Sequence, residues 1–119
     1  KVVVCGDNEK EALDILMRRS NFKDAVKNAD VLVAPHHGRN SAYHSDFVSL
    51  VNPRITIISD TEKSDASASD KYTNMSRGWE VKGEERKCLT TRKDGNITVV
   101  FGECDDPRYT GTLRISTSK

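Results

Sequence analysis

The run Val31-Leu32-Val33-Ala34-Pro35-His36-His37-Gly38 constrains this chain more than any other stretch. Val31 to Pro35 are apolar or conformationally stiff, as in a buried strand, and Pro35 closes the ladder because it has no N–H to donate. Two imidazoles follow at once. On extended backbone, neighbouring side chains point to opposite faces. One histidine is therefore expected to enter a site at the strand's end while the other braces it from behind or faces another pocket. Gly38 then lets the chain turn away.

A histidine at the carboxyl end of a strand is a common mount for metal ligands and catalytic bases in α/β folds, but it needs a second group. Lys1-Val2-Val3-Val4-Cys5 is a second buried-strand run, and it ends in Gly6-Asp7. A helix is expected over Asn8 to Arg19. Ala12, Leu13, Leu16 and Met17 recur at helical spacing, Asn8 can cap with Glu11, and Arg18-Arg19 suit the negative end of the dipole. Asp7 then lies between strand end and helix start, well placed for a ligand. Asn21 to Asn28 reads as a short helix feeding the central strand. Ser45 or Asp46 is expected to cap another that carries Phe47, Val48, Leu50 and Val51 and stops at Asn52-Pro53.

Arg54-Ile55-Thr56-Ile57-Ile58-Ser59 is a third buried strand, and it ends in Asp60. Thr61 to Ser69 has almost nothing to bury and reads as a mobile surface loop. Asp70 can cap a helix through Tyr72 and Met75, and Trp79-Glu80-Val81 opens a β-rich end. Lys93-Asp94-Gly95, flanked by Lys87–Arg92 and Asn96–Phe101, is a hairpin signal, with a last strand expected over Tyr109 to Ser116.

Nineteen basic against eighteen acidic residues in a chain of 119 give a net charge of +1, so the overall field argues neither for nor against a nucleic-acid partner. The length fits one domain or a piece of one. The chain starts at Lys1 inside a strand, which suggests a fragment of something longer. No apolar run approaches the roughly 20 residues of a membrane span. With no recognisable leader, and three cysteines (Cys5, Cys88, Cys104) lacking CxxC spacing, a cytoplasmic location with reduced thiols and no membrane contact is expected. Asn96-Ile97-Thr98 fits a glycosylation pattern and carries nothing without a secretory signal.

Two readings of Asp7 with His36 or His37 stand on spacing alone. In one, carboxylate and imidazole bind zinc, manganese or iron, with the carboxylate at the helix head bridging two ions. In the other, Asp7 caps a helix and the histidines are hydrogen-bonded turn residues. Asp60, at a third strand end, is either a carboxylate that orients a ligand from behind or a turn residue. His44 reads as a solvated loop residue within reach of the same site. Arg86-Lys87 and Arg92-Lys93 suit either phosphate contacts or a charged strand edge, and Trp79 and Tyr72 suit core packing better than base stacking.

Together these segments resemble the second half of the metallo-β-lactamase fold, in particular its ComEC/Rec2-type competence branch. The pieces that carry the resemblance are Val4-Cys5-Gly6-Asp7, Ala29-Asp30-Val31-Leu32-Val33-Ala34-Pro35-His36-His37-Gly38, Pro53 to Ser59, and Thr90 to Ile97. The resemblance implies an α/β chain, half of an αββα sandwich with six or seven strands and three or four helices, spanning residues 1–119. It implies a hydrolase of the phosphodiesterase or nuclease type that uses a metal-bound hydroxide and two divalent ions, zinc or manganese. By position Asp7 and His36 would be the metal ligands, with His37 the fallback, and His37 and Asp60 are the catalytic candidates. The HxHxDH signature of the first half is absent from the sequence, so the implied partner is an N-terminal half from the same or another chain, with nucleic acid or a nucleotide as a possible substrate. The branch's Tyr-Gly-His-Pro segment is replaced here by Ser67-Ala68-Ser69-Asp70-Lys71-Tyr72. The alternatives are a non-catalytic scaffold of the same fold and a receiver-like signalling module. The receiver fits poorly, because Ala34-Pro35-His36 stands where a phosphoacceptor aspartate is required.

Overall fold

The computed structural model describes residues 1–60, 67–102 and 112–119. The three apolar runs become parallel neighbours. Strands β1 (Val2–Val4), β2 (Val31–Val33) and β3 (Ile55–Ile58) pair in that order, and β6 (Cys88–Thr90) joins β3 at the far edge. Parallel pairing requires a crossover between consecutive strands. Helices α1 (Lys10–Leu16) and α2 (Ser20–Val26) provide the first, and α3 (Ser45–Val51) the second. Helix α4 (Ser69–Met75) and the two-stranded β4 (Trp79–Val81) and β5 (Glu84–Arg86) provide the third.

Side chains alternate across the sheet, and each face buries a separate core. Val3, Leu32 and Ile58 pack with Leu13, Phe47, Val48 and Tyr72 from the helices, while Val31, Ile55, Ile57 and Leu89 meet Val81 and Ile115 on the other side. The second face is covered by strands rather than helices. Strands β7 (Ile97–Gly102) and β8 (Thr112–Thr117) form an antiparallel ribbon that lays Ile97, Val99, Leu113 and Ile115 against it. Thr56 interrupts the apolar pattern on the helix face, where its hydroxyl is hydrogen-bonded to that of Ser76 at 2.9 Å, so its burial leaves no orphaned group.

The mixed α/β class agrees with the sequence, but several local expectations do not. Lys93-Asp94-Gly95 is not a hairpin turn. Thr91–Asp94 is a helical turn, α5, because the Thr90 hydroxyl accepts the Lys93 N–H at 3.2 Å while the Asp94 carboxylate accepts the Thr90 N–H at 2.9 Å. Arg86 fixes Asp94 from the other side at 3.1 Å. The ribbon lies one strand later, between β7 and β8, and the described residues hold eight strands and five helices rather than six or seven and three or four. Asn8 does not cap α1. Its side-chain amide donates to the Cys5 carbonyl, and the helix begins after Glu9. Nor do Ser45 or Asp46 cap α3, where His44 takes that place. Asp70 lies inside the first turn of α4 rather than ahead of it. Residues 61–66 of the expected loop, residues 109–111 of the last strand, and Cys104 lie outside the described residues. Among the described residues no helix is long and apolar enough to cross a membrane.

Burial pushes the Cys88 thiol up to about 11, so at ordinary pH it is almost wholly protonated and a poor nucleophile. With Cys5 and Cys104 replaced by serine, Cys88 should react with a disulfide reagent more than tenfold more slowly in native protein than in denaturant. Equal rates would show that β6 does not bury this side chain.

Candidate metal centre

The registers Val4↔Val33, Val33↔Ile57 and Ile57↔Leu89 define one row across the carboxyl end of the sheet. Asp7, His36, Asp60 and Arg92 each stand three residues past that row. Four different connections thus deliver two carboxylates, an imidazole and a guanidinium to one edge, the edge where open α/β sheets place their ligands. The first two are tied directly, since the His36 N–H donates to the Gly6 carbonyl at 2.8 Å, one residue before Asp7.

The histidines do not sit on extended backbone as expected. Both adopt the left-handed region, His36 at φ 45° and His37 at φ 56°, within a tight turn over Pro35–Gly38. Such conformations strain a residue with a Cβ and persist only where the surroundings hold them. The Gly6 carbonyl holds one side of this turn. On the other, Gly38 at φ +68° lies so close to Ile58 that a Cβ there would come within 2.8 Å of that buried side chain. The two rings therefore lie near each other, with centroids 6.0 Å apart and planes inclined by 56°, instead of pointing to opposite faces.

Hydrogen bonds assign the ring nitrogens. His37 Nδ1 lies 2.9 Å from the Ser59 carbonyl oxygen, which can only accept, so Nδ1 carries the proton and Nε2 keeps its lone pair in the neutral ring. His36 Nδ1 meets the Glu9 carboxylate, giving the same result. His44 is the opposite case. It is 7% exposed rather than a solvated loop residue, its Nδ1 accepts the Phe47 N–H at 3.0 Å as the cap of α3, and its Nε2 donates to Asp14 at 2.7 Å. Both nitrogens are used, so His44 is structural.

The Asp60 carboxylate is taken out of water. Its side chain is 1% exposed, neither oxygen receives a hydrogen bond, and Arg92 Nε lies 3.6 Å from Oδ2. Its backbone is held by Thr91, whose hydroxyl accepts the Asp60 N–H at 2.8 Å and donates to the Asp60 carbonyl at 2.9 Å. A buried carboxylate with open acceptor capacity suits a cation or a proton donor. Asp7 is exposed on its turn. Tyr72 is wholly buried against Tyr43, with ring centroids 5.0 Å apart, and Trp79 carries the Arg54 guanidinium 5.1 Å above its ring, so both serve packing.

The donors are of the right chemistry for a divalent ion, but among the described residues no three of them gather into a group able to hold one. A tetrahedral zinc needs four ligands. Glu9 had no separate signal in the sequence, since a glutamate at a helix start ordinarily reads as a favourable charge near the dipole. Comparison with protein-family models, curated proteins and solved structures returns no match.

Gly38→Ala should destabilise the fold by about 2–4 kcal/mol, from left-handed strain plus overpacking against Ile58; urea unfolding measures it, and an unchanged midpoint would mean the histidine turn is not wedged on the core. His44→Ala should cost about 1 kcal/mol through the lost cap, with no change in divalent-ion binding.

Proposed function

We propose that this chain is the carboxyl-terminal half of a metallo-β-lactamase-like αββα sandwich and supplies part of a dinuclear metal centre in a phosphodiesterase or nuclease. Asp7 and His36 are the metal-holding residues. The observation that carries this reading is that Asp7, His36 and Asp60 lie at one offset from the sheet's carboxyl row, while His36 and His37 both have Nδ1 occupied by an oxygen. That arrangement leaves two Nε2 lone pairs and two carboxylates at one edge, which suits zinc or manganese. When bound, such ions polarise an ester and make water nucleophilic near neutral pH.

The chain's own residues divide the remaining work. Exposed His37, its Nδ1 proton committed to Ser59, can accept or return a proton through Nε2. Asp60, buried beside Arg92, supplies fixed negative charge that favours a cation at the edge and holds the guanidinium where an anionic ester would approach. The missing ligands would come from an HxHxDH-bearing half covering this edge, with nucleic acid or a nucleotide as substrate. A scaffold without catalysis is the second reading, favoured by the lack of any closed three-donor group.

In the complete protein joined to that half, Asp7→Ala or His36→Ala should lower phosphodiester hydrolysis about a thousandfold or more, with thermal unfolding little changed. The parent should copurify with about two metal equivalents. Retained activity in both variants would refute the assignment, and a metal-free parent would favour the scaffold.

A further inference from the structure

Glu9 occupies the N-cap position of α1 in extended conformation, φ −90° and ψ 173°, yet its side chain makes no capping hydrogen bond. The Glu9 carboxylate instead reaches His36, 27 residues later and on a different element. The ring it holds belongs to a residue at φ 45°, one of two consecutive strained positions. The Glu9 carboxylate thus serves a long-range contact that orients an imidazole rather than the helix it starts.

We infer that Glu9 is a positioning residue: it holds His36 in the Nδ1–H tautomer with Nε2 directed outward as the donor to a divalent cation. This rests on the metal-centre reading for the identity of the ligand, but the tautomer is a property of the metal-free chain. Carboxylate partners of this kind fix ring orientation and raise the basicity of the donating nitrogen, and losing one typically weakens metal binding ten- to a hundredfold. Glutamine keeps a carbonyl oxygen able to accept the same proton, whereas alanine does not.

The test is nitrogen NMR of the imidazoles in the 119-residue protein, metal-free at about pH 8, above the ordinary imidazole range, followed by titration with zinc. Wild type should show His36 as the Nδ1–H tautomer. Glu9→Ala should lose that preference and need about ten- to a hundredfold more zinc to half-saturate the His36 Nε2 signal. Glu9→Gln should keep the tautomer and most of the affinity. An unaltered tautomer in Glu9→Ala, or an unaltered zinc midpoint, would overturn the inference, as would a loss in Glu9→Gln equal to that in Glu9→Ala. If zinc does not perturb wild-type Nε2, the role of this nitrogen as a metal donor in the 119-residue chain is overturned, while the tautomer comparison still decides whether Glu9 positions the ring.

Discussion

The alignment of four parallel strands at their carboxyl ends is the constraint on which the rest depends. The crossovers that join them differ in length and content: two helices, then a turn and a helix, then a helix with a β ribbon. They nonetheless return the chain to one row, because backbone pairing in a parallel sheet tolerates no slip without moving buried side chains to the wrong face. Val31, Ile55, Ile57 and Leu89 cannot face the helices, nor can Leu32 and Ile58 face the ribbon, without emptying both cores. The positions of Asp7, His36, Asp60 and Arg92 follow from that register.

Within this frame, hydrogen bonding decides what each imidazole can do. The chain has three histidines and three separate outcomes. His44 uses both nitrogens to hold α3 to α1, His37 is tethered to a backbone carbonyl, and His36 to a carboxylate. Residue type alone would rank them equally. The partner of Nδ1 separates the structural histidine from those with a lone pair to offer.

Much of the sheet was legible in the sequence because buried parallel strands read as unbroken apolar runs. Val2–Val4, Val31–Val33 and Ile55–Ile58 stand out on that ground. Strand β6 falls inside the expected Lys87–Arg92 strand, but its parallel pairing with β3 was hidden, because the short, charge-flanked segment reads as one arm of a hairpin. The Asp-Gly pair after it misled for a physical reason: glycine after a polar residue ends a helical turn as readily as it makes a hairpin, and only the reciprocal bonds of Thr90 and Asp94 select the former. Asp7, His36 and Asp60 were legible as strand-end residues. Glu9 was not, because its role depends on a turn that brings it against a residue far along the chain. The bent histidine turn was equally hidden, as His36 and His37 carry no local signature for positive φ.

The contact between Gly38 and Ile58 couples the interior to the rim. Ile58 is fully buried in the helix-side core, and Gly38 ends the histidine turn. A side chain at position 38 would therefore need a smaller residue at 58, so a change on the rim is answered inside the helix-side core. Drift at these two sites is tied together, and with it the freedom of the imidazoles to wander.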